Sequence, residues 1–310
     1  MPFALVTGGA GFIGSHLVEG LLARGYKVRV LDNFATSTRE NLAGTLQQIE
    51  LLEGDVCNLT TVHTAMRGID VVFHEAALPS VARSVANPLE SNEVNITGTL
   101  NVLLAARDAG VKRVVYAASS AAYGNQPTLP KVETMTPDPL SPYAIGKLAG
   151  EMYARAFTQL YGLSTVALRY FNVFGPRQDP TTQYAGVIAK FCTCAVQGVS
   201  YPVNGDGEQS RDFSYVENVV QANIAAAEAQ LDGHALINIA YGERTTLNQI
   251  IALLNEISGQ NLPAQYGPDR AGDVRHSHAD LTRARQLLSY DPKVDVREGL
   301  RRTLEWYRQK

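Results

Sequence analysis

At 310 residues, 45% apolar and 18% charged, the chain has the make-up of an ordinary globular protein, and its length predicts one large lobe with a smaller one. A formal net charge of −3 gives no electrostatic reason for nucleic acid or an anionic membrane as partner. No apolar run approaches the ~18–20 residues that cross a bilayer. The first strand begins at Phe3 and leaves no room for a secretory leader, so the cytoplasm is the expected compartment.

The first 170 residues alternate strand and helix patterns. Strands are predicted at Phe3–Thr7, Val28–Leu31, Ile49–Leu52, Val71–His74, Val114–Ala117 and Thr165–Arg169, several of them continuous apolar runs suited to a parallel sheet buried on both faces. Helical patterns fall between them, notably Asn92–Ala109 and Pro142–Tyr161. This rhythm predicts an α/β protein with a doubly wound parallel sheet, whose ligands lie at the carboxyl ends of the strands. After Asn172 the beat loosens into Pro- and Gly-marked loops, helical patterns at Gly186–Gln197, Val216–Ala229, Thr246–Ser258 and Val296–Arg308, and strands at Leu236–Ile239 and Ala264–Tyr266. Residues 1–172 are therefore expected to bind a nucleotide cofactor and residues 173–310 to form a smaller, mixed α/β substrate lobe. Cys57, Cys192 and Cys194 make neither a disulfide framework nor a metal knuckle, and no acidic or thiol partners cluster near His276-x-His278, so no metal is expected.

Thr7-Gly8-Gly9-Ala10-Gly11-Phe12-Ile13-Gly14 stands between the first strand and the first helical pattern. In that context Gly8 permits a tight turn, Gly11 lets the backbone approach a pyrophosphate, and Gly14 lets the helix pack on the sheet. The pyrophosphate then rests on free N–H groups at the helix N-terminus. The second strand ends in Asp32, 18 residues after Gly14, where a carboxylate hydrogen-bonds an adenosine ribose and repels a 2′-phosphate, favouring NAD over NADP. Asp55 and Ala76-Ala77 fall at later strand ends, beside the expected adenine and ribose.

Tyr143 and Lys147 are four apart on one predicted helix, so the ammonium can sit beside the phenol. A neighbouring cation favours the phenolate of a group whose ordinary pKa is ~10. Ser119, just past a strand end, supplies a hydroxyl to hold the reacting oxygen in line with that phenol.

On Gly8-x-x-Gly11-x-x-Gly14, Tyr143-x-x-x-Lys147, Asp32-Asn33, Gly54-Asp55-Val56, His74-Glu75-Ala76-Ala77, Ala118-Ser119-Ser120 and Leu168-Arg169-Tyr170-Phe171-Asn172, the chain resembles an extended short-chain dehydrogenase/reductase, and within it the nucleotide-sugar 4-epimerases of the UDP-N-acetylglucosamine type. The resemblance implies a Rossmann-like first lobe onto which part of residues 211–240 folds back. It implies NAD held by Gly8, Gly11, Phe12, Ile13, Gly14, Asp32, Asn33, Asp55, Val56, Ala76, Ala77, Asn95, Tyr143, Lys147 and Tyr170. It implies a UDP-sugar held by Ser80, Arg83, Ser119, Ser120, Asn172, Val187, Tyr201, Val203, Arg211, Arg270, Asp273 and Ser277. A homodimer is implied through the Asn92–Ala109 and Pro142–Tyr161 helices, with Leu100, Leu103, Leu104, Met152 and Phe157 as candidate contacts.

The implied reaction oxidises C4 of UDP-GlcNAc or UDP-GalNAc, turns the 4-keto sugar and reduces it from the other face. Related dehydratases carry an acidic pair where Ser120-Ala121 stands here, so dehydration is not expected. Ser277 matches a gate that is bulky in relatives restricted to UDP-glucose and UDP-galactose, and a small residue leaves room for a 2-acetamido group. Leu78–Ser84 resembles the loop that meets that group, with Pro79 and Ala82 departing from its pattern. The alternatives are a UDP-glucose/UDP-galactose or dual-specificity 4-epimerase, then a UDP-uronic acid 4-epimerase or a nucleotide-sugar oxidoreductase.

Overall fold

The apolar strand runs pair in parallel. In the computed structural model, which describes residues 1–180, 186–268 and 274–310, seven strands make one sheet. They are β1 (Phe3–Thr7), β2 (Lys27–Asp32), β3 (Ile49–Glu53), β4 (Val71–His74), β5 (Arg113–Ser119), β6 (Ser164–Tyr170) and β7 (His234–Ile239), in the order β7-β6-β5-β4-β1-β2-β3. The order reverses between β1 and β4, which opens a crevice at the carboxyl ends of the strands.

Helices cover both faces. Phe12–Ala23, Val216–Glu228 and Thr282–Leu288 bury Leu17, Val18, Leu21, Val219 and Ala284 on one side. Leu59–Ala65, Gly98–Asp108 and Pro142–Tyr161 bury Val62, Val102, Leu103 and Phe157 on the other. A second core, built on Phe191, Cys192, Ile250, Leu254, Leu300 and Leu304, joins helices Val187–Gln197, Leu247–Ser258 and Val296–Arg308. The chain crosses from the sheet to this second lobe at Asn172 and returns to the sheet with β7.

Two expectations need correction. The run Asn92–Ala109 is not one helix: Pro88–Asn92 leads into a five-residue π turn, Glu93–Thr97, before Gly98–Asp108. The wider turn accompanies buried Asn95, whose amide bonds both polar groups of the Leu78 backbone rather than continuing a plain helical face. Leu103 and Phe157, expected at a helix-pair interface, belong to the core instead, whereas Met152 is 60% exposed.

The Pro142–Tyr161 helix carries the candidate chemistry, and its start is specified locally. Ser141 caps it by accepting the Ala144 N–H, Pro142 occupies the first turn, and Gly162 ends it in the left-handed region. The helix lies close to β5 because residue 150 is glycine: a Cβ there would come within 2.2 Å of the Tyr116 hydroxyl oxygen. A buried ion pair fixes it along its length. Arg169 of β6 donates to Glu151 through Nε at 2.9 Å and Nη2 at 2.7 Å, with its guanidinium 4.5 Å from the Tyr123 ring centroid. Removing one member of such a pair leaves a buried, unpaired charge and typically costs ~3–5 kcal/mol. Glu151→Ala is therefore expected to lower unfolding free energy by about 3–5 kcal/mol in denaturant melts. A loss under about 1 kcal/mol, the range of exposed pairs, would show that the pair is not what fixes the helix.

Candidate active site

The chain leaves β1 through a turn that only glycine fits. Gly8 has φ +69°, and a Cβ on it would lie 2.7 Å from the Ala76 backbone. Gly14 is tighter still: a Cβ would stand 2.1 Å from the Gly8 carbonyl oxygen. Gly11 caps the Phe12–Ala23 helix without a side-chain hydrogen bond, and the first turn contains no acidic residue. The leading N–H groups are therefore left for an anionic ligand, and the turn fits a dinucleotide pyrophosphate.

Asp32 closes β2 beside this turn. Its carboxylate accepts the Ala10 N–H at 2.9 Å, the Phe34 N–H at 2.9 Å and the Ser37 hydroxyl at 2.8 Å. Those bonds fix its direction while leaving a carboxylate lone pair for a ribose hydroxyl. Asn33 donates to Asp55 at 2.8 Å, and Asp55 also accepts the Cys57 N–H at 2.8 Å. Burial alone would raise the Asp55 carboxyl; these two donors bring it below the usual range. Phe12, Ile13, Val56, Ala76 and Ala77 line the same cavity. Asn95 does not: it is buried and spends its amide on Leu78 and Ser91, so it positions the loop after β4.

Ser119, Tyr143 and Lys147 come together at the end of β5. Ser119 Oγ accepts the Ala121 N–H at 3.2 Å and is hydrogen-bonded to the Tyr143 phenol. Lys147 is 4% exposed and donates to the Ala117 carbonyl at 2.7 Å. Burial pulls its ammonium below the usual lysine range, against the carboxylates of Glu75 and Glu151, which raise it. The Tyr143 phenol corrects an expectation. Burial holds it above its ordinary pKa, Ser119 acts to lower it, and Glu75 acts to raise it further. Lys147 gives its hydrogen bond to Ala117 and is not among the groups that act on the Tyr143 phenol.

The sequence reading did not single out Glu75 as a site residue, although an acid directly after the apolar run of β4 was a visible signal. Its carboxyl accepts the Tyr170 hydroxyl at 2.7 Å, and Tyr170 in turn accepts the Asn223 amide at 2.7 Å. Burial raises Glu75 above the usual carboxylate range, against the Tyr170 hydroxyl and Lys147. Neighbouring His74 is neutral, driven down to about 3 by burial and then by Lys147. Thr99 gives its proton to the Asn95 carbonyl at 2.8 Å, so it accepts from His74 Nε2, and His74 Nδ1 accepts from Thr7 at 2.7 Å. This relay ties the glycine turn to the helix pair behind the sheet.

The glycine turn, Asp32, Asp55, Glu75, Ser119, Tyr143 and Lys147 open onto one cavity of about 1740 Å³. Ordinary small-molecule pockets occupy ~300–1,000 Å³, so there is room for two ligands. Ser80, Arg83, Ser119, Ser120, Tyr170, Asn172, Arg211 and Ser277 line it. Ser80 caps the Val81–Ala86 helix, and Arg83 pairs with Glu90 at 2.6 Å. Asn172, at φ +37°, donates to Ser277 Oγ at 2.9 Å and to the Asp212 carbonyl at 3.1 Å. Arg211 donates to the Arg275 carbonyl at 2.8 Å. Val187, Tyr201 and Val203 are not brought to the cavity wall; Tyr201 and Val203 are buried in the second core, with the Tyr201 hydroxyl on Asn255 at 3.2 Å. Arg270 and Asp273 lie outside the described residues. Among the described residues no group of three or more His, Cys, Asp and Glu is placed to hold a metal ion. No described helix is long and apolar enough to cross a membrane.

Comparison with known proteins agrees with this geometry. Residues 4–240 match the NAD dependent epimerase/dehydratase family. The UDP-glucose 4-epimerase of Mycolicibacterium smegmatis is 39% identical over 311 residues, covering 99% of this chain and 98% of that protein. A solved structure of the Thermotoga maritima UDP-glucose 4-epimerase with UDP-glucose is 41% identical, with a TM-score of 0.94 and 99% coverage of both chains. The UDP-N-acetylglucosamine 4-epimerase of Methanobrevibacter ruminantium, solved with UDP-N-acetylmuramic acid, is 39% identical, with a TM-score of 0.95, covering 99% of this chain and 98% of that one. The family match over residues 4–240 and the near-complete coverage of these relatives lead to one assignment: the chain belongs to the NAD dependent epimerase/dehydratase family.

Proposed function

We propose that this enzyme interconverts UDP-GlcNAc and UDP-GalNAc by epimerisation at C4. The observation that carries the choice of sugar is Ser277, a small side chain on the cavity wall, tied to Asn172. NAD, when bound, supplies a reversible hydride acceptor. Gly8, Gly11 and Gly14 would hold its pyrophosphate, Asp32 its adenosine ribose, and Lys147 its nicotinamide ribose.

Tyr143 takes the proton of the sugar 4-hydroxyl, and Ser119 donates to the same oxygen. Ser119 is oriented for this, since Ala121 N–H occupies one of its lone pairs and leaves its own proton to give. Burial opposes the phenolate, so its stabilisation must come from elsewhere. Tyr143 is in the first turn of a 20-residue helix, where the macrodipole favours an anion by ~0.3–1 kcal/mol. The positive charge of a bound nicotinamide would add to this at the cavity wall that Lys147 also lines. Asn172 and Arg211 would grip the nucleotide, so that the 4-keto sugar can turn about its diphosphate while Tyr143 keeps the proton for return. Ser120 and Ala121 provide no second acid, so nothing next to Ser119 eliminates water.

A second reading, epimerisation of UDP-glucose and UDP-galactose, draws on the names of the Mycolicibacterium and Thermotoga relatives. Ser277→Tyr separates the two. A phenol ring would fill the space for a 2-acetamido group and displace the Asn172 bond, while a 2-hydroxyl still fits. Overpacking costs ~1–3 kcal/mol, so kcat/KM on UDP-GlcNAc is expected to fall roughly ten- to a hundredfold, with activity on UDP-glucose retained or improved. Equal losses on both sugars, or none, would remove Ser277 as the gate.

We also propose a two-fold dimer. Ile145, Met152 and Leu160 leave an apolar stripe on the Pro142–Tyr161 helix, 51%, 60% and 72% exposed. Cyclic pairing through one self-complementary patch is the commonest way to cover such a face. Light scattering is expected to give twice the chain mass, and Met152→Glu to lower it. A monomer at every concentration would refute the pairing.

A further inference from the structure

Glu75 is a half-buried carboxyl on the cavity wall that the scheme above does not use. It follows β4 directly, and its backbone N–H is held by the Thr7 carbonyl at 3.1 Å, which ties its Cα to β1. Tyr170 of β6 donates to it at 2.7 Å, and Asn223 of the Val216–Glu228 helix fixes Tyr170 from behind. It shares the cavity wall with Tyr143 and Lys147 of the Pro142–Tyr161 helix, and charge on Glu75 acts on both of them. Lys147 also feels Glu151 of that helix, and His74 on β4 is uncharged. No other titratable group acts on Glu75 among the described residues.

We propose that Glu75 is a positioning residue for proton transfer: through its charge, shared between Tyr170 and Lys147, it sets the pH range in which Tyr143 and Lys147 hold the protons that turnover needs. The physical logic is electrostatic. An ionised Glu75 opposes loss of the Tyr143 proton and favours retention of the Lys147 proton, since one step creates an anion beside it and the other keeps a cation. Both groups therefore titrate at higher pH than they would beside a neutral residue. Two groups pushed the same way displace a bell-shaped profile without narrowing it. A group that only packs would change its height. Tyr170 belongs to the same device, because its hydroxyl favours the ionised form of Glu75.

The proposal rests on the epimerase reading for its kinetic arm only, and a spectroscopic arm stands apart from it. Glu75→Gln keeps an acceptor for Tyr170 and removes the charge. Both arms of its kcat/KM profile are expected to move to lower pH together, each unit of displacement reading as about a tenfold change in rate on that arm. In the NAD-loaded protein labelled with 13Cζ-tyrosine, the Tyr143 resonance, assigned by its loss in Tyr143→Phe, is expected to titrate at lower pH in Glu75→Gln than in wild type. If Glu75→Gln does not fold, Tyr170→Phe is the substitute and should move the same resonance in the same direction by less. An unmoved Tyr143 titration, or arms that move apart, would overturn the assignment. Absence of C4 epimerisation on every UDP-hexose tested would instead refute the proposed function, with the titration still readable.

Discussion

The site depends on a lysine ammonium kept almost wholly out of water. Lys147 has one close hydrogen-bond acceptor, the Ala117 carbonyl, and lies 5.2 Å from the Tyr116 ring centroid. Burying a cation this way is costly unless charge compensates it, and the compensation here is distributed rather than paired. Glu75 and Glu151 each lean on it from a different element; burial raises the Glu151 carboxyl and Arg169 acts to lower it. Such an arrangement holds only if helix and strand approach closely, which Gly150 allows. Close packing, buried charge and candidate chemistry are thus one constraint.

The same packing acts on the Tyr143 phenol: burial raises it above its ordinary pKa, Ser119 acts to lower it, and Glu75 acts to raise it further. A phenol so placed depends on cationic charge close by to serve as a base, and the close helix–strand approach that buries it also sets Lys147 on the same cavity wall.

Much of this was legible in the chain. The glycine spacing, Asp32 and the strand rhythm led to the sheet, because tight turns and buried parallel strands leave local, periodic signals. Tyr143 and Lys147 were legible because helical spacing is local. Less legible was whatever depends on three-dimensional neighbours. Residue spacing alone suggested that Lys147 faces Tyr143, whereas the Ala117 carbonyl competes for it from a strand some thirty residues earlier. Asn95 read as a ligand contact, but its amide is committed to Leu78. Tyr201 and Val203 looked like pocket residues, yet their alternation on a short strand turns them into the second core. Glu75 drew no attention as a site residue because nothing in the sequence joins it to Tyr170, 95 positions away.

The central claim is that hydride leaves and returns at C4 within one enzyme-bound cycle. Supplying UDP-GlcNAc deuterated at C4, with no NAD added beyond what the purified protein carries, tests it directly. The account predicts UDP-GalNAc that retains the label at C4, with no reduced cofactor released into solution. Loss of the label to solvent, or stoichiometric accumulation of free NADH, would contradict it and point to a dehydrogenase.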